Sequence, residues 1–392
     1  MDNYFSLDDY EKAARQRLPR SLFGYVEGAT EDNLSLHDNR KVFEEILFRP
    51  RVLVNVSKRE QSVELFDTHY RAPFGIAAMG ICSLTAYRGD LAQARAAKDA
   101  GIPMILSCSS LIRVEEIMDV APGTWFQLYV PRHEVAVDAL IDRVARTGVE
   151  ILVVTVDSAV VPNRENNLRN GFKTPLVPSL RLFWEGLTHP RWSLGTFLKT
   201  LMLHGVPHFE NNTAERGTSL IARNVERDFG GREYLDWDAI TRIRRRWKGR
   251  LVLKGILHPE DARRADKLGA DGLIVSNHGG RQLDGSLSPM RALPQIIEAA
   301  GNQTVMIDSG FRRGTDILKA LALGANFVFV GRPFNYAAAV GGEAGVSHAI
   351  RLLCDEIHAN MGLLGINRLS ELHSDYLYCR QLHFMDRKQE LT

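Results

Sequence analysis

The stretch Gly272-Leu-Ile-Val-Ser-Asn-His-Gly-Gly-Arg281 runs from a short apolar segment straight into an imidazole, two glycines and a guanidinium. Its apolar half suits a strand buried on both faces, and such strands belong to parallel sheets covered by helices. Reactive side chains on a glycine-loosened turn at the end of such a strand suggest an α/β enzyme, because chemistry in these folds collects at strand C-termini. Seven further runs of the same character flank it. Phe74 to Ala78, Pro103 to Ser107, Trp125 to Val130 and Ile151 to Val156 precede it, then Leu251 to Gly255, with Thr304 to Ile307 and Phe327 to Val330 beyond. Helical patterns separate them at Asp90 to Ala100, Val135 to Thr147, Pro259 to Leu268 and Thr315 to Leu323, with C-capping glycines at Gly101, Gly148, Gly269 and Gly324. Eight strand-then-helix units predict a (β/α)₈ TIM barrel of the α/β class. The competing doubly wound sheet would carry a G-x-G-x-x-G fingerprint, which the sequence lacks.

The strand centres, at 76, 104, 127 and 153 and then at 252, 274, 306 and 328, recur at the spacing of one unit except across 153 to 252. The loop after the fourth strand therefore carries a long insertion, placed at 172–230, and in a barrel that loop overlies the active-site face. Residues 1–70 read as a helical cap, with Leu7 to Leu18, Arg20 to Gly28 and Asp38 to Ile46 covering the lower end or the rim. The chain 1–392 is expected to be a single barrel domain.

Bulk composition removes several functional classes. With 49 basic against 47 acidic residues the net charge is +2, too small a field to gather nucleic acid or an anionic membrane. Cys82, Cys108, Cys354 and Cys379 show neither metal-ligand spacing nor the density of a disulfide framework, so no metal is expected and a reducing compartment fits. The acidic, polar start lacks a signal-peptide pattern, and Lys199 and His204 interrupt the apolar stretch Trp192 to Val206. The expectation is a cytoplasmic location, either free or peripheral on the cytoplasmic face of the inner membrane, without a spanning helix.

The candidate site follows from the strand ends. Strand six delivers Ser276, His278 and Arg281. Strand seven gives Asp308-Ser-Gly-Phe-Arg312 and strand eight Gly331-Arg332, each ahead of a helix. That pair of loops is where barrels bind phosphate: glycines admit backbone amides, a helix start adds positive partial charge, and Arg312 and Arg332 add direct hydrogen bonds. Lys254, in an apolar strand, needs an anion beside it. Ser107, Gln127, Tyr129, Thr155 and Asp157 are further polar groups delivered to the same mouth.

On Ser276-Asn-His-Gly-Gly-Arg-Gln-Leu-Asp284, Asp308-Ser-Gly-Phe-Arg-Arg-Gly314, Trp125-Phe-Gln-Leu-Tyr129, Lys254-Gly255 and Tyr25-Val-Glu-Gly-Ala29, the chain resembles the FMN-dependent 2-hydroxy-acid oxidase and dehydrogenase family over nearly its whole length. The resemblance implies FMN across the barrel mouth. Its phosphate would meet Asp308, Ser309, Gly310, Phe311, Arg312, Gly331 and Arg332. Its ring and ribityl chain would meet Ala77, Ala78, Met79, Gly80, Ser107, Gln127, Thr155 and Ser276, with Lys254 balancing the charge of the reduced ring. It also implies His278 as base with Asp157 orienting it, Tyr129 at the substrate hydroxyl, and Arg281, Arg164 and Tyr25 around the substrate carboxylate. Whether the electrons leave as a carbanion or as a hydride is not decided by these residues. Two positions depart from the common pattern. Ala77-Ala-Met-Gly80 stands where relatives often have Pro-Thr before Ala or Gly, and Gly80 favours a dehydrogenase over an oxygen-using oxidase. The neighbours of Arg164 in Val161-Pro-Asn-Arg164 vary among relatives.

Within the insertion, Phe183, Trp184, Trp192, Leu194, Phe197, Leu198, Leu201, Met202 and Leu203 alternate with Arg181, Arg191 and Lys199. Two readings stand. Residues 178–215 lie in a membrane surface, where a quinone can reoxidise the flavin, as the resemblance to bacterial dehydrogenases implies, or they form a lid or subunit contact packed on the barrel. The expected partners are a small 2-hydroxy acid, lactate- or mandelate-like, a quinone acceptor and, from the resemblance, three further copies in a homotetramer. The alternatives are an oxygen-using oxidase that makes hydrogen peroxide, an FMN barrel of another reaction class, and a non-catalytic flavoprotein.

Overall fold

The computed structural model describes residues 3–172, 180–222 and 231–379. Eight short parallel strands form its centre: β1 (Phe74–Ile76), β2 (Ile105–Ser107), β3 (Trp125–Leu128), β4 (Ile151–Thr155), β5 (Arg250–Ile256), β6 (Gly272–Val275), β7 (Thr304–Ile307) and β8 (Phe327–Val330). Hydrogen bonding links them in the order β1-β8-β7-β6-β5-β4-β3-β2. A parallel bridge from Ile76 to Met104, with the Ile76 amide donating to the Pro103 carbonyl at 2.9 Å, joins β1 to β2 and closes the ring. The result is the (β/α)₈ barrel expected from the strand count.

Strand pleating explains how the interior is built. Side chains two apart share a face, and the inward set of the lower barrel is apolar: Ile105, Trp125, Val153, Val252, Ile274, Met306 and Phe329 pack into one buried cluster. One step of two residues toward the C-terminal end, the inward position turns polar in six of the strands, β2 to β7: Ser107, Gln127, Thr155, Lys254, Ser276 and Asp308, all buried. The same alternation that fills the core therefore lays a polar floor under the mouth.

The first 70 residues divide between the two ends of the barrel. The helix Arg20–Glu27 and the turn after it border the mouth, where the Thr30 amide donates to the Gly280 carbonyl at 3.1 Å. The helix Leu34–Glu45, which starts before the expected Asp38, brings Asn39 to Asn277 on the same side. The lower end is closed instead by a hairpin of Val63–Leu65 and Thr68–Tyr70 that the helical reading of this segment missed. Its Phe66 ring packs on Trp125 and its Tyr70 on Phe327, at the beginnings of β3 and β8.

Between β4 and the helix Trp237–Arg246 the chain makes the helices Glu165–Asn170 and Leu180–Thr188, then a continuous helical stretch from Pro190 through a π-helical Ser193–Leu198 to His204. Positions 173–179 and 223–230 of this interval, and with them the first residues of the 178–215 segment, fall outside the described residues. Among the described residues no helix is long and apolar enough to cross a membrane.

Candidate active site

At the end of β6 the backbone turns left-handed three times running, at His278 (φ 59°), Gly279 (φ 67°) and Gly280 (φ 75°). For a histidine this conformation is strained by about 1–3 kcal/mol, so the surroundings must hold it. They do so through Ser276 Oγ, which accepts from the His278 amide at 3.0 Å, and Ser309 Oγ, which accepts from the Gly279 amide at 3.0 Å. The coil folds the imidazole back over the mouth. There its Nδ1 meets Asp157 Oδ1 at 2.9 Å and its Nε2 meets the Tyr129 hydroxyl at 3.2 Å.

Asp157 reaches Nδ1 because β5 yields to it. A bulge separates Lys254 from Ile256, and Gly255 sits there at φ 110°, where a Cβ would lie 2.6 Å from Asp157 Cβ. Any side chain at 255 would displace the carboxylate. Burial pulls Asp157 upward from its ordinary pKa, but the His278 charge and hydrogen bond, with Lys254 beyond, outweigh that and leave it net lowered. For His278 burial is the leading effect and lowers its pKa, while Asp157 opposes the shift and Lys254 and Arg164 add to it. The pair is thus a neutral imidazole whose charged form is stabilised by a fixed carboxylate. Tyr129 is held protonated, chiefly by burial.

Two guanidiniums stand beside this pair. Arg281 lies over the Tyr25 ring at 5.0 Å and donates to the Tyr25 and Gly28 carbonyls at 2.8 and 2.5 Å, while Arg164 Nε donates to the Arg281 carbonyl at 3.1 Å. Part of the hydrogen-bonding capacity expected for a substrate carboxylate is therefore already used on the backbone. Burial, and then the nearby Arg164 charge, lower the Arg281 pKa.

The rest of the mouth has the parts a flavin phosphate cofactor needs. Lys254 Nζ donates to Ser276 Oγ at 2.7 Å and pairs with Asp308 Oδ2 at 2.9 Å, which answers its need for an anion. Ser107 Oγ donates to Gln127 Oε1 at 2.9 Å, leaving the buried Gln127 Nε2 without a partner, and the Ser109 and Ser158 hydroxyls are likewise buried and unpartnered. Orphaned donors on the floor of a cavity match a ligand with several ring acceptors. Arg332 Nε donates to the Val26 carbonyl at 2.8 Å, and Arg312 stands 3.7 Å from Glu11. At the start of the helix Gly314–Ala322 three amides are already taken by carboxylates: Asp316 accepts from those of Arg312 and Arg313 and Glu356 from that of Gly314. Those carboxylates already cap the helix.

Most of these groups face one cavity of ≈ 1110 Å³, part of it open to solvent. Of the residues expected at the site, Tyr25, Ala77 to Gly80, Ser107, Gln127, Tyr129, Thr155, Arg164, Lys254, His278, Arg281, Asp308 to Arg312, Gly331 and Arg332 line it. Asp157 and Ser276 stand one layer behind, bonded to His278 and Lys254. Sequence reasoning missed Ser109, Ser158 and Gln282 on the wall, although the last two directly follow Asp157 and Arg281. It also missed Arg232, which stacks its buried guanidinium 4.6 Å over the Tyr129 ring with Nε and Nη1 unpartnered.

The chain is similar to known proteins along nearly its full length. The family profile of FMN-dependent dehydrogenases matches residues 14–379. (S)-mandelate dehydrogenase of Pseudomonas putida is 40% identical over 382 residues, covering 96% of this chain and 94% of that one. An L-lactate dehydrogenase of Bartonella tribocorum is 38% identical over 374 residues, covering 94% and 96%. The crystal structure of monotopic membrane protein (S)-mandelate dehydrogenase superposes with a TM-score of 0.87 at 38% identity, over 96% of this chain and 100% of that one. With a barrel whose mouth fits a phosphorylated flavin and a match along nearly its full length, this chain belongs to the FMN-dependent dehydrogenase family.

Proposed function

We propose that the protein oxidises an L-2-hydroxy acid of the lactate or mandelate type to its 2-keto acid and passes the electrons from FMN to a quinone or similar acceptor. The observation that carries this reading is His278, tied at Nδ1 to Asp157 and presenting Nε2 to the cavity beside Tyr129, with Arg281 and Arg164 adjacent. The arginines bind the carboxylate and so fix the 2-carbon, while Tyr129 holds the 2-hydroxyl. His278 Nε2 accepts a proton from the substrate, and Asp157 stabilises the imidazolium that results. When bound, FMN takes up the two electrons. Asp308 to Arg312 with Gly331 and Arg332 would hold its phosphate, Lys254 and Gln127 its ring, and a homotetramer is the expected assembly.

The test is His278→Ala. The base is lost while the phosphate loops stay intact, so FMN content is unchanged and the rate falls about 10²–10⁴-fold. Full activity in a flavin-loaded variant overturns the assignment of the base.

For the insertion we favour the membrane reading over the packed lid. Phe183, Trp184, Leu187, Leu194, Met202 and Leu203 are all exposed on the described helices, so these side chains do not pack on the barrel. This is in keeping with the monotopic membrane attachment of the mandelate dehydrogenase relative. Flotation with phospholipid vesicles measures it. The chain is expected to float, and Phe183→Glu with Trp184→Glu to remain in the soluble fraction; equal partitioning of both restores the lid.

A further inference from the structure

A second cavity, of ≈ 1320 Å³ including its open side, lies between the barrel and the insertion, and the site chemistry makes no use of it. Ser83, Leu111, Ile112, Thr200, His204 and Val206 line one part of it, and most of the rest of its wall is charged, with Arg88, Arg113, Glu116, Arg143, Glu210, Glu215 and Arg216. Its inner wall is also the wall of the active-site cavity. Gly80 and Ser109 line the active-site side, while Ser83 and Leu111 line the far side. From Ser109 to Leu111 the chain can reach no more than about 7 Å. The two loops form one layer, because the Ile81 amide donates to the Ser109 carbonyl at 3.2 Å. The insertion is pinned to the outside of that layer: the Glu210 amide donates to the Ser110 carbonyl at 3.2 Å, and Asn211 Nδ2 donates to the Ile112 carbonyl at 2.7 Å.

The outer wall comes from the helix Lys199–His204. Its Met202 and Leu203 are exposed, on the surface assigned above to the membrane, while its Thr200 lines the cavity with a buried, unpartnered Oγ1. His204 stands at the edge, held by the Tyr87 hydroxyl at 2.9 Å and by Arg88 at 3.3 Å. The chamber thus lies under a helix that exposes apolar side chains, has aliphatic Leu111 and Ile112 on the wall it shares with the flavin-side cavity, and offers the Thr200 hydroxyl, set in a polar and charged surround, to a carbonyl oxygen.

We propose that this chamber is the docking site of a membrane quinone, which receives electrons through the Gly80–Ser83 and Ser109–Ile112 layer and never enters the substrate cavity. The inference rests on the acceptor reading above. The overall reaction balances as 2-hydroxy acid plus quinone giving 2-keto acid plus quinol. Two electrons cross the layer, and the two protons that the hydroxy acid releases equal the two that the quinone takes up. Separate sites let the keto acid and the quinol leave independently. Leu111 and Ile112 face the ring, and Thr200 Oγ1 donates to a quinone oxygen.

The experiment uses the FMN-loaded, full-length protein with decylubiquinone as the probe acceptor and ferricyanide as a soluble control. Val206→Trp fills the chamber, and Thr200→Val removes the donor at constant shape; neither residue touches the site chemistry. Val206→Trp is expected to raise the KM for decylubiquinone at least about tenfold, the equivalent of 1.4 kcal/mol, and Thr200→Val to raise it less, with ferricyanide rates and FMN content unchanged. A photoactivated azidoquinone, whose labelling needs no turnover, is expected to mark peptides within 83–88, 111–116 or 200–207 and to be displaced by decylubiquinone. Labelling elsewhere, or an unchanged KM in flavin-loaded Val206→Trp, overturns the docking site while leaving the acceptor reading intact. If the wild type reduces ferricyanide with substrate but not decylubiquinone, the acceptor reading fails and the docking site with it.

Discussion

Replacing Asp157 by Asn keeps the shape of the side chain and removes its charge, which isolates what the carboxylate does for His278. Asp157 Oδ1 lies 2.9 Å from His278 Nδ1, both side chains are mostly buried, and the carboxylate opposes the effect of burial on the imidazole pKa. A hydrogen bond to a charged group contributes about 1.5–3 kcal/mol, and here it is realised fully only once His278 holds the substrate proton. At 1.36 kcal/mol per tenfold, kcat/KM is expected to fall about 10- to 150-fold. The pH profile moves as well, and its direction is fixed. His278 works as the neutral base, so activity is present above its pKa and lost as pH falls through it. In the wild type that limb is expected below the ordinary histidine value of 6.5, because burial lowers the imidazole pKa. Without the carboxylate the imidazolium is less stable, so the limb shifts to still lower pH while the plateau drops. Stopped-flow reduction of the flavin across pH 4.5 to 8 reads both. An unchanged plateau, or a limb that moves upward, in protein with full FMN content refutes the coupling of these two residues.

Three further outcomes are expected. Gly255→Ala places a Cβ against Asp157 at a backbone angle that L residues rarely adopt, so thermal unfolding should show about 1–3 kcal/mol of lost stability together with a fall in kcat/KM like that of Asp157→Asn. Arg281→Met removes a charge-assisted contact to the substrate carboxylate, and steady-state kinetics should show kcat/KM lower by about 10- to 150-fold, only partly restored by lysine. Arg232→Met removes a buried, partly unpartnered cation from the Tyr129 ring, so melting should show stability held or gained while kcat/KM declines.

Much of this was legible in the sequence because a barrel site is written in one register. Val252 and Lys254, Ile274 and Ser276, and Met306 and Asp308 are each two apart, so a polar residue that breaks an apolar strand near its end points into the mouth. The left-handed turn at His278 was foreshadowed by its glycine neighbours. Other features had no such signal. Arg232 arrives at Tyr129 from the far end of the insertion, a contact that spacing does not encode. The Val63–Tyr70 hairpin has strands too short for periodicity to register, and its role as a plug depends on Phe66 and Tyr70 meeting strand starts distant in sequence. The carboxylates of Asp316 and Glu356 that take the amides at the start of Gly314–Ala322 leave no mark in the motif itself. The shared wall between the two cavities exists only once the insertion has folded back over the loop at Ser110.

The central claim, that the His278 site oxidises 2-hydroxy acids with FMN, is tested most directly by the visible spectrum of the purified protein under anaerobic conditions, before and after adding lactate, glycolate and each mandelate enantiomer. The account predicts a yellow protein whose flavin absorbance is bleached by an L-2-hydroxy acid and restored rapidly by a quinone analogue and slowly by air. A flavin-loaded protein that none of these acids bleaches contradicts the account.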